Sequence, residues 1–265
     1  MNTFIGDIPK ALAFDLDGTL TLSKFHLEEN MASILGDLLE KFPIAIVSGA
    51  SKEQFKTQFL NYFLLYSSKS IKNFPNLYLF PENGASLILY NNNEWRTVYE
   101  NSFSEDESSK IILTLNNAIE RFNLFEKEGF GKLIENRGAE ITLSCLGQNA
   151  PIDIKQKWDP NQEKRKEIRE YIHNLLLDYE VRIGGSTSID ITKNGMNKSL
   201  AINNFLKILN IKKNELIFLG DALFTGGNDE IVEETGVKCY KVDNPQDTIN
   251  ILRDIINTYE QVSSK

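Results

Sequence analysis

Histidine and cysteine are scarce in this chain of 265 residues, with two of each. His26 and His173 are too few for a histidine-rich metal cage and leave little for phosphohistidine chemistry or a serine triad. Cys145 and Cys239 lie far apart in apolar runs and form no CxxC pair. They read as buried thiols in a reducing compartment, with no disulfide framework. Basic residues are outnumbered 29 to 37, which leaves a net charge of −8. That balance argues against a general nucleic-acid or anionic-membrane surface, because such surfaces neutralise phosphate charge with basic patches. Apolar runs such as Ile44–Val47 fall well short of the ~18 residues needed to span a bilayer. MNTFIGDIPK also lacks the basic-then-apolar layout of a signal peptide, so a cytoplasmic location is expected. Sixteen glycines, seven prolines and 10% aromatic residues exclude collagen-like and disordered compositions.

What the chain does contain is an alternation of buried strands and amphipathic helices. Lys10–Leu16 is an apolar run ending in a DGT turn. Glu28–Lys41 carries Met31, Ile34, Leu35, Leu38 and Leu39 at helical spacing. Phe42–Val47 is a second strand, stopped by Ser48-Gly49-Ala50, and Ser51 caps a helix running toward Leu64. Leu77–Phe80 is a third strand. Continuous apolar strands separated by helices mean a parallel sheet covered on both faces. The middle third differs: a hairpin over Ala85–Tyr90 and Trp95–Glu100, helices over Asp106–Phe125 and Asn161–Leu177, and short strands between them. From Asn197 the helix and strand rhythm returns, with Glu215–Leu219 and Val237–Val242 as strands and Pro245–Tyr259 as a closing helix. The expected organisation is an α/β parallel-sheet domain over residues 1–84 and 186–265, with an α+β domain inserted at 85–185.

Four features fall at the ends of the expected parallel strands, where open α/β sheets place their sites. Asp15 and Asp17 end the first strand, Ser48 the second and Asp221 the fourth, while Lys198 begins the helix leading into the fourth. Singly, each has a bland explanation as a turn, a cap or a solvated lysine; together they describe chemistry. A carboxylate on a rigid strand end is a competent nucleophile toward a phosphoryl group. Two carboxylates beside an anionic substrate need a cation, and Mg2+ prefers oxygen ligands and bridges carboxylate to phosphate. Asp15 and Asp221 offer side-chain ligands, and Asp17 a backbone carbonyl. The Asp17 carboxyl is then free to protonate the leaving oxygen and later to deprotonate the acceptor. Ser48 and neighbouring N–H groups can bind phosphoryl oxygens, and Lys198 can neutralise transition-state charge.

FDLDGTL at Phe14–Leu20, IVSGA at Ile46–Ala50, Lys198 and FLGDALFTGGND at Phe218–Asp229 resemble the four ordered motifs of the haloacid dehalogenase (HAD) superfamily. The inserted middle third resembles the type IIB cap, and the likeness covers essentially the whole chain. It implies a HAD-like Rossmannoid core with a type IIB α+β cap domain. An aspartate two places after the nucleophile is the mark of phosphatases and phosphomutases in that superfamily, which Asp17 matches. Within type IIB the chain looks like the phosphomannomutases. The GGND segment and IGGSTSID at Ile183–Asp190 resemble their stretches, so that Ser188 and Asp190 match sugar-phosphate contacts. Arg137 in ENRG matches an arginine that holds the distal phosphate, with Gly49 beside the transferred one. Asn228 and Asp229 are implied to ligate or orient the metal.

The chain also departs from that family. Gln148 stands where the mutases carry arginine, Asn197 where they carry aspartate before the lysine, and SGA replaces a GGS-like turn. A mutase binds a bisphosphate in two orientations and needs cations at both ends; Arg182 and Lys132 are candidates to compensate. The expected function is therefore Mg2+-dependent hydrolysis of a small phosphorylated sugar through an aspartyl-phosphate. The alternative is phosphomannomutase chemistry, and a non-catalytic phosphosugar-binding protein is the alternative of another class. A homodimer through the cap is the one expected protein partner.

Overall fold

The strands form where apolar residues run without interruption and both of their faces find helices. In the computed structural model, which describes residues 8–125, 128–225 and 227–263, Ala11–Phe14 (β1), Ile44–Val47 (β2), Leu77–Phe80 (β3), Leu216–Gly220 (β10) and Lys238–Lys241 (β11) lie parallel in one sheet. The hairpin Ser86–Asn91 (β4) and Glu94–Glu100 (β5) continues that sheet antiparallel, giving the order β11-β10-β1-β2-β3-β4-β5.

Successive side chains on a strand point to opposite faces, and the two resulting layers are distinct. Leu12, Phe14, Ile44, Ile46, Leu77 and Leu79 pack against Glu29–Leu39 (α1) and Pro245–Ser263 (α9) through Met31, Leu35, Ile251 and Ile255. Ala11, Ala13, Ala45, Val47 and Phe218 face Lys198–Leu209 (α7) through Ala201, Ile202 and Phe205. After β2, the helical stretch foreseen from Ser51 is present but not uniform. Ser51 Oγ accepts the Gln54 N–H and caps Lys52–Gln54 (α2). A wide π-helical turn, Phe55–Leu60, follows before Asn61–Tyr66 (α3).

A second compact unit spans residues 101–196, and the first comprises 1–100 and 197–265. The inserted unit has a four-stranded antiparallel sheet in the order β6-β7-β9-β8, from Ile134–Asn136 (β6), Glu140–Ser144 (β7), Tyr179–Ile183 (β8) and Ser188–Lys193 (β9). Glu105–Arg121 (α4) and Glu163–Leu175 (α6) supply Ile111, Leu115, Ile168 and Ile172 to its core beside Ile141, Leu143, Ile189 and Ile191. Two shorter helices complete the chain, Ile152–Trp158 (α5) and Glu230–Glu233 (α8).

These boundaries correct the expected division at 84/85 and 185/186. The 85–100 hairpin belongs with the parallel sheet because β4 pairs with β3. The 186–196 segment belongs with the insert because β9 is a central strand there, paired to both β7 and β8.

Candidate active site

The site is built at the carboxyl ends of β1, β2 and β10. Asp15 follows β1 directly, and its N–H donates to the Leu219 carbonyl of β10 at 3.0 Å. The register pairing Phe14 with Leu219 is what brings Asp15 and Asp221 together although they are distant in sequence. Carboxylate oxygens of Asp15, Asp221 and Asp229 lie within 4.8 Å of one another. Gly18 makes this approach possible: its φ is +85°, and a Cβ there would collide with the Asp221 carboxylate.

Lys198 is the first residue of α7 and is 1% exposed. Its Nζ donates to Asp15 Oδ1 at 2.5 Å and to Asp229 Oδ1 at 2.6 Å. Asn197 serves as the helix N-cap: its Oδ1 accepts the Leu200 N–H at 3.2 Å. The electrostatics follow from burial. Burial pushes the Asp15 carboxyl up to about 7, against the pull of Lys198 and with the added repulsion of Asp229 and Asp221. Burial alone would lower the Lys198 ammonium, but the Asp15 and Asp229 carboxylates outweigh it and hold it above the usual lysine range. Asp221 is raised by its partial burial and by Asp229. Buried ions persist only when paired, and here one ammonium serves two carboxylates.

Asp229 is fully buried, and both of its oxygens are engaged, Oδ1 by Lys198 and Oδ2 by the Ala222 N–H at 3.0 Å. Asn228 instead lines a cavity of about 250 Å³ together with Asp15, Asp17, Ser48, Gly49, Gln54 and Asp221. Ser48 is buried with its Oγ accepting the Ala50 N–H at 3.1 Å. Gly226, the first residue of the GGND segment, lies outside the described residues.

Asp17 stands apart from the three clustered carboxylates. Its Oδ1 accepts the Lys24 N–H at 2.6 Å and the Gln58 side-chain amide at 2.9 Å. Gln58 also donates to Thr21 Oγ1 at 2.9 Å and accepts from Gln54 Nε2 at 3.1 Å. Sequence reasoning missed both glutamines. The only available signal was their spacing of four in a helix that starts beside Ser48, which most surface helices share.

The site residues expected in the insert gather on the polar face of its sheet. Ser188 opposes Ser144, and Asp190 opposes both Thr142 and Arg182; directly paired residues share a face. Thr142 Oγ1 donates to Asp190 Oδ1 at 2.9 Å, and burial raises the Asp190 carboxyl against Thr142 and Arg137. Arg137 is held by Glu135 at 2.5 Å and Glu140 at 3.0 Å, and Arg182 by Glu180 at 3.2 Å. Neither guanidinium is a free cation. Trp95 packs on Phe74 and Tyr90 within the first unit, and Trp158 stacks under Lys164, so both have packing roles here.

The sequence profile of eukaryotic phosphomannomutases matches residues 31–258. The chain belongs to the eukaryotic phosphomannomutase family. A phosphomannomutase of Saccharomyces cerevisiae is 25% identical over 259 residues, covering 92% of this chain and 93% of the yeast protein. Among solved structures, the C-terminally truncated IMP-nucleotidase of Plasmodium falciparum superposes with a TM-score of 0.71 at 25% identity, over 94% of this chain and 71% of that one. A haloacid dehalogenase-like hydrolase from Bacteroides thetaiotaomicron shares the fold, with a TM-score of 0.62 at 15% identity over 94% and 99% of the two chains. As a phosphomannomutase family member, the protein is an enzyme of the HAD superfamily with phosphotransferase chemistry. The expectation of a non-catalytic binding protein is thereby set aside.

Proposed function

We propose that the protein is a phosphomannomutase-type phosphotransferase that interconverts the 1- and 6-phosphates of a hexose through an aspartyl-phosphate at Asp15. The observation that carries this reading is an intact core site in a chain matched by the family profile over most of its length. The same match ranks mutase chemistry above the simple hydrolysis expected from the sequence.

Hard, anionic oxygen donors fit Mg2+, and Asp15, Asp221, Asn228 and the Asp17 backbone carbonyl would hold it. When bound, it supplies charge neutralisation between the carboxylates and the phosphoryl oxygens. The protein's own groups do the rest. Asp15, fixed by β1 and Lys198, attacks phosphorus. Lys198 sits on the nucleophile's oxygen and offsets the negative charge it shares with the transferring group. Ser48 and the backbone at Gly49 receive the phosphoryl oxygens. Asp17 protonates the departing ester oxygen and later takes a proton from the acceptor hydroxyl. Arg137, Arg182, Ser188 and Asp190 are the insert's proposed phosphosugar-binding groups.

A second reading is hydrolysis of the same ester class, with water as the acceptor. Ion pairing of Arg137 to two glutamates, with Gln148 in place of an arginine, leaves less cationic charge for a second phosphate. The nucleotidase named among the structural neighbours supports the same reading. The deciding experiment supplies hexose 1-phosphate, Mg2+ and a catalytic amount of hexose 1,6-bisphosphate. Hexose 6-phosphate as the main product supports the mutase; stoichiometric inorganic phosphate supports the hydrolase; neither product defeats both.

Among the described residues no helix is long and apolar enough to cross a membrane. A cytoplasmic location is part of the proposal, resting on the unpaired thiols of Cys145 and Cys239. So is a homodimer through the insert, to which Leu113, 63% exposed on α4, would contribute; analytical ultracentrifugation of a Leu113→Glu variant tests it.

A further inference from the structure

Among the described residues, no ion pair fixes the acid/base residue Asp17. Its orientation comes from Gln58, a polar side chain that is only 5% exposed. A buried amide must satisfy its donors and its acceptor, and the partners here leave it one orientation. Gln54 donates to Gln58 Oε1, so Gln58 Nε2 faces the opposite way, toward Asp17 Oδ1 and Thr21 Oγ1. The flipped amide would set oxygen against carboxylate oxygen and nitrogen against the Gln54 amide. Thr21 closes the chain by donating to the Leu16 carbonyl. All four side chains hang between the DGT turn and the π-helical turn Phe55–Leu60. The extra residue of a π turn shifts the helix face that follows it, and such turns recur at functional sites.

Both recorded donors to Asp17, the Lys24 N–H and Gln58 Nε2, engage the same oxygen, Oδ1. Among the described residues Oδ2 accepts no hydrogen bond. An oxygen that already receives two N–H donors is a poor place for a proton, because a hydroxyl hydrogen there would point at one of those donors. We propose that Gln58, locked by Gln54, is a positioning residue that ties down Asp17 Oδ1 and so makes Oδ2 the oxygen that delivers and collects the proton.

The proposal rests on the acid/base role assigned to Asp17. In the first step a lone pair of Asp15 forms the new bond to phosphorus. The bond from phosphorus to the ester oxygen breaks, and that oxygen keeps the pair and takes the proton from Oδ2. Asp17 is left as a carboxylate, stabilised through Oδ1 by its two N–H donors. Proton delivery matters only when the leaving oxygen is a poor leaving group. An alkyl phosphate such as a hexose phosphate needs it, whereas p-nitrophenyl phosphate does not.

That contrast separates positioning from simple structural support. The value of kcat/KM for both substrates is measured with Mg2+ for the parent enzyme, Asp17→Asn, Gln58→Met and Gln54→Leu. Methionine keeps the length and volume of Gln58 without its amide. Gln54→Leu releases the amide orientation without touching Asp17. With the alkyl phosphate, Asp17→Asn is expected to lose about 10²-fold or more, Gln58→Met about tenfold and Gln54→Leu a smaller factor. With p-nitrophenyl phosphate, Gln58→Met and Gln54→Leu are expected to stay within about threefold of the parent, which also shows that they fold. If Asp17→Asn is selective for the alkyl ester while both glutamine variants lose equally on the two substrates, the positioning role is overturned and the acid/base reading survives. An unselective loss in Asp17→Asn overturns the acid/base reading, and the proposal with it.

Discussion

Asp15 is the group most at odds with its surroundings, and replacing it with asparagine in the metal-free protein measures that conflict. Its carboxyl is buried, and burial raises it from 3.8 to about 7 despite the Lys198 ammonium, with Asp229 and Asp221 adding repulsion. In the unfolded chain the group ionises near 3.8. Between about pH 4 and pH 7 the folded state therefore binds more protons than the unfolded state. The contribution of Asp15 to stability must then fall as the pH rises through that window and remain at its lowest above it. A displacement of roughly three pH units corresponds to about 4 kcal/mol. Asparagine imitates the protonated carboxyl, and Lys198 keeps Asp229 as a partner. In the presence of chelator, Asp15→Asn should match the parent near pH 4 and exceed it by about 4 kcal/mol at pH 8. Urea denaturation of both proteins at several pH values checks this. A difference that does not vary with pH, or a variant less stable than the parent at pH 8, would refute the reasoning. Adding Mg2+ should reverse the order, stabilising the parent at pH 8 and the variant far less.

Lys198→Met strands two buried carboxylates, so it should destabilise the protein by about 3–5 kcal/mol and abolish phosphoryl transfer; denaturant titration and the mutase assay read the two effects separately. Gly18→Ala places a Cβ in the Asp221 carboxylate at a φ of +85°; the expected result is a folded protein with much weaker Mg2+ activation, seen as a raised metal requirement. In the insert, Arg165 is buried with Asp159 at 2.9 Å, and its Nη1 also holds the Gly184 and Gly185 carbonyls at 2.8 and 2.6 Å. Arg165→Met should cost about 3–5 kcal/mol by leaving Asp159 unpaired, measured as a lowered melting temperature.

The parallel sheet was legible because its strands are uninterrupted apolar runs with the DGT, SGA and GDA turns at their carboxyl ends. The pairing of β1 with both β2 and the sequence-distant β10 places Asp15, Ser48 and Asp221 around one cavity. Less legible were features decided by tertiary pairing. The 85–100 hairpin has the same alternation whether it edges the parallel sheet or the insert, and only its bonds to β3 decide. Ser188–Lys193 reads only as one more short strand, with nothing to mark it as central in its sheet. The ENRG motif marks Arg137 as a candidate, yet it does not say that Glu135 and Glu140 both pair with its guanidinium. Gln58 was invisible for a different reason. A π turn has no compositional mark, and a buried glutamine looks like any helix-surface residue until its partners are known.

The central claim is that phosphorus becomes bonded to Asp15. Enzyme with Mg2+ and radiolabelled hexose 1,6-bisphosphate, quenched in acid within milliseconds, should carry a label that is stable in acid and released by hydroxylamine. Proteolysis and mass spectrometry should place it on the peptide containing Asp15, and Asp15→Asn should carry none. A label on Asp17, on any residue outside that peptide, or persisting in Asp15→Asn would contradict the account.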